Sequence, residues 1–217
     1  MITDRIAQSL EIRIPGDQGL RLMGITPRKR APRASIMRCF EEELATAHDI
    51  IEPRVVHATV PAGLPGSASI TADVPHALAV CTIGGALEAR AKHFMKAGDA
   101  TRAMIIDAIG SAAVEEVADN LNREFCERCI SAGDLPGPRI SPGYGSWALA
   151  EQELIFEALL PVESGVVLNA SYTMIPSKSV SFAMPLAGGK ALSKARAQQG
   201  RCAHCNMSGC EYRVVPK

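Results

Sequence analysis

A chain of 217 residues, 47% of them hydrophobic, is long enough for one domain with a sizeable core, or a domain with a small appendage. Its 23 Lys+Arg cancel its 23 Asp+Glu and aromatic residues make up 4%, which argues against nucleic acid held by a basic surface or by base stacking. No uninterrupted apolar run could span a bilayer and residues 1–15 carry no signal-type apolar core; the expectation is a cytoplasmic protein without membrane contact, whose seven cysteines favour metal or redox use over a disulfide framework.

Residues 11–14 and 20–25 read as short strands about Gly16-Asp17, a hairpin-like start. The basic run at 27–33 could contact phosphate or a partner, but bracketing prolines and the acidic segment that follows favour a solvated loop. Residues 34–51 form an amphipathic helix, with Ile36, Phe40, Leu44 and Ala47 on one face and Pro53 just beyond its end. An alternating strand follows at 54–60, then a Pro/Gly loop at 61–67, then a buried β-branched strand at 76–83. Gly84-Gly85 opens a helix to about residue 97, without a G-x-G-x-x-G pattern or a phosphate-loop lysine. Asp99 caps a long helix to about residue 131, whose first half is small and apolar. At about 100° per residue, Ser111, Glu115, Asn122, Cys126 and Cys129 share one side of it, either a solvent face or one wall of a cleft.

The stretch Arg139-Ile140-Ser141-Pro142-Gly143-Tyr144-Gly145 follows. Pro142 forbids a helix through Ser141, and the two glycines allow positive φ and close backbone approach. Arg139 offers a planar fork suited to a carboxylate, and Tyr144 a flat face with a hydroxyl. A rigid turn of this kind suits a small zwitterion with a flat ring; the bland alternative is an ordinary Pro-Gly turn between helices. A helix at 147–159 closed by Pro161 and strands at 165–172 and 178–184 complete the pattern, which argues α+β rather than repeating βαβ.

A charged stretch at 190–201 leads to Cys202, Cys205 and Cys210, a C-x2-C-x4-C set able to grip one ion or cluster and distinct from the C-x3-C-x2-C of radical AdoMet enzymes. A fourth ligand could be His204 or a cysteine of the pair Cys126 and Cys129. That pair falls near a helix C-terminus, the wrong end for a lowered thiol pKa. The division expected is 1–190 as the main domain and 191–217 as a cysteine-bearing tail.

The Arg139-x-Ser141-Pro142-Gly143-Tyr144 stretch resembles the R-x-x-P-G-Y signature of the activation domain of cobalamin-dependent methionine synthase. The likeness extends to the helix run from Asp107 through Glu115 and to Met174-Ile175-Pro176-Ser177-Lys178-Ser179-Val180-Ser181, similar to that domain's M-x-P-x-x-S-V-S; it spans roughly residues 75–185 and departs from the family pattern at Gly133 and near Met184. It implies an α+β fold, with an antiparallel sheet and long helices forming a cleft. It implies S-adenosylmethionine (AdoMet) as ligand, with Glu115, Arg139, Ser141, Gly143 and Tyr144 binding it. It further implies a methyltransferase-activation role, supporting reductive methylation of cob(II)alamin to methylcobalamin. No D-x-H-x-x-G corrinoid motif is present, so the cobalamin would ride on a partner corrinoid methyltransferase. Cys202, Cys205 and Cys210 would then hold an iron–sulfur cluster, or zinc. The alternative is a zinc- or iron–sulfur-binding interaction module sharing only the fold. No Ser-His or Cys-His arrangement suggests hydrolytic chemistry.

Overall fold

The computed structural model describes residues 3–25, 32–61, 63–67, 69–70, 74–145 and 147–186. At its centre is an antiparallel sheet of β1 (Thr3–Ser9), β2 (Arg54–Val60), β3 (His76–Thr82) and β6 (Ser179–Pro185), in the order β1-β2-β3-β6. β3 is buried along its whole length, with an unbroken run of apolar and small residues from Ala77 to Cys81 between His76 and Thr82. The register sets His57, Ala79 and Phe182 side by side across three strands.

Alternate residues of these strands feed two separate cores. Val55, Ala79, Cys81, Phe182 and Met184 point to a layer of helices: α1 (Gly16–Leu22), α2 (Ala34–Ile50), α3 (Ala86–Lys96) and α4 (Ala100–Ser131). Val56, Ala58, Leu78, Val80 and Ala183 point the other way, to Trp147, to α5 (Gln152–Leu159) and to the loop residue Val166. A small hairpin of β4 (Val167–Leu168) and β5 (Met174–Ile175) completes that second face. Each large apolar side chain removed from water contributes roughly 1.5–3 kcal/mol, and the fully buried set includes Phe182, Ile105, Ile109, Leu121 and Ile155.

The 32-residue helix α4 organises the first face. Asp99 caps it by accepting from Arg102 N at 3.0 Å, and small residues along its middle let the sheet approach. At its far end Gly133, at φ +83, turns the chain, with Gly133 N donating to Ile130 O and Asp134 N to Cys129 O. Glycine at 133, one of the departures from the family pattern, thus serves as the helix stop.

Several expectations are corrected. Residues 11–14 form no strand, and Leu20 lies in helix α1, not in a strand. Pro15, at φ −76, and Asp17 in the first turn start that helix, and Gly19 sits against the Phe40 ring. The sheet edge belongs instead to β1, whose residues are mostly exposed and therefore show no apolar alternation. Trp147 precedes the helix it was expected to open: Gly143 N donates to Trp147 O, which holds it in the turn, and α5 starts at Gln152 after one 3-10 turn. The strand expected over 165–172 shrinks to β4, because Asn169 Oδ1 accepts from Ser171 N and Thr173 N and bends the chain. Cys129, expected on the polar side of α4, is 6% exposed and belongs to the apolar core.

Candidate ligand cleft beside helix α4

Three backbone bonds lay residues 137–140 along the outer edge of β6: Gly137 N to Pro185 O at 2.8 Å, Ile140 N to Ala183 O at 2.9 Å, and Ala183 N to Ile140 O at 2.8 Å. Strand alternation then divides neighbours between the two faces. Ile140 joins the α5-side core, while Arg139 turns toward α4. Its side chain is only 5% exposed. Nη2 meets Glu115 Oε2 at 3.1 Å and Asp119 Oδ1 at 3.0 Å, and the guanidinium lies 5.1 Å from the centroid of the Phe182 ring. Two carboxylates compensate one buried cation, as a charge so far from water requires.

That compensation is incomplete in one respect. Arg139 Nη1 is buried and has no hydrogen-bond partner among the described residues, and the same holds for Asn122 Oδ1 on the next turn of α4 beyond Asp119. Asn122 Nδ2 faces Cys126 Sγ at 4.0 Å, and Cys126 Sγ faces Met184 Sδ at the same distance. The row along α4 therefore reads Asp107, Ser111, Glu115, Asp119, Asn122, Cys126. Its other end is closed by Lys178, whose Nζ lies 2.7 Å from Asp107 Oδ1 and 2.9 Å from Ser111 Oγ. Lys178 reaches them by lying across Gly110, where a Cβ would come within 3.3 Å of its methylenes. An apolar groove of about 450 Å³, lined in part by Leu22, Met23, Ala91 and Met104, runs up to Asp107 and Ser111, one turn short of Glu115.

The turn after Arg139 holds the other expected residues. Tyr144 N donates to Ser141 O at 3.2 Å and Trp147 N to Tyr144 O at 3.1 Å. Gly143 sits at φ +87, and a Cβ there would approach Leu149 Cδ1 to 3.3 Å, so both backbone and space favour glycine. Tyr144 is 72% exposed, open to solvent rather than enclosed. Glu115 and Arg139 are thus brought into contact, while Ser141, Gly143 and Tyr144 form the adjoining turn. Asp119 and Lys178 were not singled out as ligand-site residues from sequence, and Asn122 only as part of the helix side that could wall a cleft. The spacing of Asp119 four residues after Glu115, on the same helix face, was the available signal.

The serines of the M-x-P-x-x-S-V-S segment serve the fold. Ser177 binds Glu88 through both its amide and its hydroxyl, Ser179 Oγ donates to Pro176 O, and Ser181 Oγ donates to Gln152 Oε1. Lys92 and then Ser177 hold the Glu88 carboxyl down at about 2. Burial pushes the Cys81 thiol up to about 12, and raises Cys126 and Cys129 as well, so none of the three is an activated thiolate. Cys202, Cys205 and Cys210 lie outside the described residues, as does most of the basic run. Among the described residues no three His, Cys, Asp or Glu side chains gather to hold a metal, and no helix is long and apolar enough to cross a membrane.

No protein-family model matches the sequence, and no curated protein matches it. Among solved structures, the chain is similar to the MetH reactivation domain bound to AdoHcy, with a TM-score of 0.67 and 16% identity over 88% of this chain and 80% of that one. At that identity the likeness establishes the fold: α+β, with an antiparallel sheet and long helices beside a cleft, as the sequence led one to expect.

Proposed function

We propose that this chain binds AdoMet in the cleft between α4 and β6 and serves as the reactivation component for a corrinoid methyltransferase carried on another protein. The single observation that carries this reading is the buried Arg139 guanidinium, held by Glu115 and Asp119 through Nη2 while Nη1 has no partner among the described residues. A buried donor of this kind suits a ligand carboxylate. Glu115 and Asp119 suit an ammonium group or ribose hydroxyls, and the exposed Tyr144 ring at the rim suits an adenine face. The solved structure of similar fold holds AdoHcy, the demethylated form of the same molecule.

AdoMet supplies a methyl cation and a separate reductant one electron, which together convert the partner's cob(II)alamin to methylcobalamin and leave AdoHcy. The residues of this chain bind and orient. Arg139 fixes the amino-acid end, Gly143 lets the turn backbone come close, and Lys178 blocks the cleft at Asp107 and Ser111. Positioning of two reactants makes such a transfer effectively unimolecular. In this reading residues 1–190 carry the ligand, and the tail at 191–217 binds iron–sulfur or zinc through Cys202, Cys205 and Cys210.

Calorimetry of anaerobically purified protein with AdoMet tests the binding. Saturable binding that Arg139→Ala weakens supports it; parental affinity in that variant places the ligand elsewhere. Mixing protein, AdoMet, reductant and a methyltransferase in its cob(II)alamin state tests the role, through the optical change to methylcobalamin. Iron, sulfide and zinc content, before and after Cys205→Ser, tests the tail.

A further inference from the structure

We infer that Asn122 reads the α-amino group of the ligand, and so sets the specificity of the cleft for an intact amino-acid end; the inference rests on the AdoMet reading above. The starting point is a pair of unmet polar atoms. Arg139 Nη1 is a buried donor and Asn122 Oδ1 a buried acceptor, each without a partner among the described residues. Buried groups of this kind are rare in native proteins, and each calls for a water, an ion or a ligand. The third such atom, His57 Nε2, belongs to a ring stacked edge-on to Phe125 at 5.2 Å inside the helix–sheet core, so it marks no cleft.

The other two sit on one strip of structure. Arg139 clamps α4 at Glu115 and Asp119, and Asn122 follows three residues after Asp119 on the same helical side. Cys126, one turn further, faces the amide nitrogen of Asn122, and the amide oxygen is left without a partner among the described residues. An occupant must then offer an acceptor to Nη1 and, beside it, a donor to Oδ1. A carboxylate and an ammonium on one carbon offer both. Glu115 and Asp119 hold Arg139 Nη2 and give the ammonium a negative surrounding, while the Asn122 amide oxygen is a buried acceptor whose need the described residues do not meet.

The test is equilibrium binding of two probes, AdoHcy and its analogue lacking the α-amino group, to the parent, Asn122→Leu and Asn122→Asp, with circular dichroism to confirm folding. Asn122→Leu keeps the shape and removes the acceptor. It should raise the Kd for AdoHcy about tenfold, the effect of one lost charged hydrogen bond, and leave the Kd for the deaminated analogue unchanged. Asn122→Asp keeps the acceptor and should restore AdoHcy binding; failure of Asp to restore it shows that the amide donor, not the oxygen, faces the ligand, and overturns the assignment. Equal Kd changes for both probes, or none for either, also overturn it while leaving the AdoMet reading in place. A parent that binds neither probe sinks both.

Discussion

Two arginine–carboxylate clusters face α4, and they are built inside out with respect to one another. In the first, between α2, α3 and α4, the acid is buried: Glu43 is 1% exposed and takes Arg90 Nε at 2.6 Å, Arg90 Nη2 at 3.0 Å and Arg102 Nη1 at 3.2 Å. Its two arginines reach partly into solvent and flank the Phe94 ring at 5.1 and 5.2 Å. In the second, the arginine is buried over Phe182 and its acids are the partly exposed members, at 20% and 46%. Glu43 has no unmet buried atom, whereas Arg139 does. The chemistry is shared and the completeness is not. A closed cluster ties helices together; an open one, beside a glycine-bearing turn, keeps an unmet donor, which is the group the proposed ligand would take.

The largest effect expected is at the closed cluster. Arg90→Ala strips two charged hydrogen bonds from a carboxylate that cannot reach water, and should cost about 3 kcal/mol of stability, the low end for breaking a buried pair because Arg102 Nη1 stays on Glu43. Urea denaturation measures it, and AdoMet affinity in the folded variant should be unchanged. Arg139→Ala should show the opposite balance. It should remove about 1.5–3 kcal/mol of AdoMet binding, the range for a charged hydrogen bond, with a smaller loss of stability because Glu115 and Asp119 can rehydrate. If Arg139→Ala loses stability as Arg90→Ala does and keeps its affinity, the two clusters are both structural and the comparison collapses.

Lys178 sharpens the comparison at the end of the same cleft. Its ammonium is mostly shielded, its side chain being 13% exposed, but Asp107 is 64% exposed, so the pair lies between a surface and a buried bridge. Lys178→Met keeps the methylenes over Gly110 and removes the charge. The expected loss of stability is about 1 kcal/mol, near the upper end for a largely solvated pair, read as a shift in the urea midpoint. A loss as large as that of Arg90→Ala would show that Lys178 belongs to a closed cluster instead.

Arg139 and Glu115, which the fold brings into contact, were both picked out in the sequence, by the turn motif and by the helix face. The elements β2, β3, α2, α3 and α4 were legible too, from an alternating strand, an unbroken apolar run, helical periods and the capping Asp99. Asp119 and Asn122 were less so, since polar residues on a helix look alike whether they meet solvent or a cleft. What separates them is the buried Arg139 that meets Asp119 and the buried amide oxygen of Asn122, and Arg139 is delivered by a strip, residues 137–140, that docks on β6 through backbone bonds carrying no side-chain signature. The failure at the N-terminus has the same root. β1 is an exposed edge strand and shows no alternation, while Leu20 belongs to a short helix whose packing, Gly19 against Phe40, leaves no apolar period in the sequence. Residues 27–31 and the tail cysteines lie outside the described residues, so their reading still rests on spacing.

The smallest effect expected concerns His57, which separates an unmet group at the proposed ligand site from one that is merely buried. Its ring is 2% exposed and stacks edge-on against Phe125, and Nε2 has no partner among the described residues. Burial holds its pKa below the ordinary 6.5, with Glu124 pulling it up and Arg128 down. A histidine whose folded pKa is depressed binds fewer protons folded than unfolded. Its contribution is therefore intact above the unfolded pKa and is lost as the pH falls below about 6.5, through the window down to the depressed folded value. Urea midpoints taken from pH 7.5 to pH 5 should decline for the parent, and decline less for His57→Phe, which keeps an aromatic ring beside Phe125 and cannot be protonated. The carboxylates also titrate toward the acid end, so the difference between parent and variant carries the information. AdoMet affinity should be the same in both proteins at pH 7.5, because His57 lies in the core rather than in the cleft. A His57→Phe protein with the parent's pH profile would show that His57 takes up its proton equally in the folded and unfolded states, and so that burial does not depress its pKa. A variant that loses AdoMet would move this third unmet atom into the ligand site and redraw its boundary.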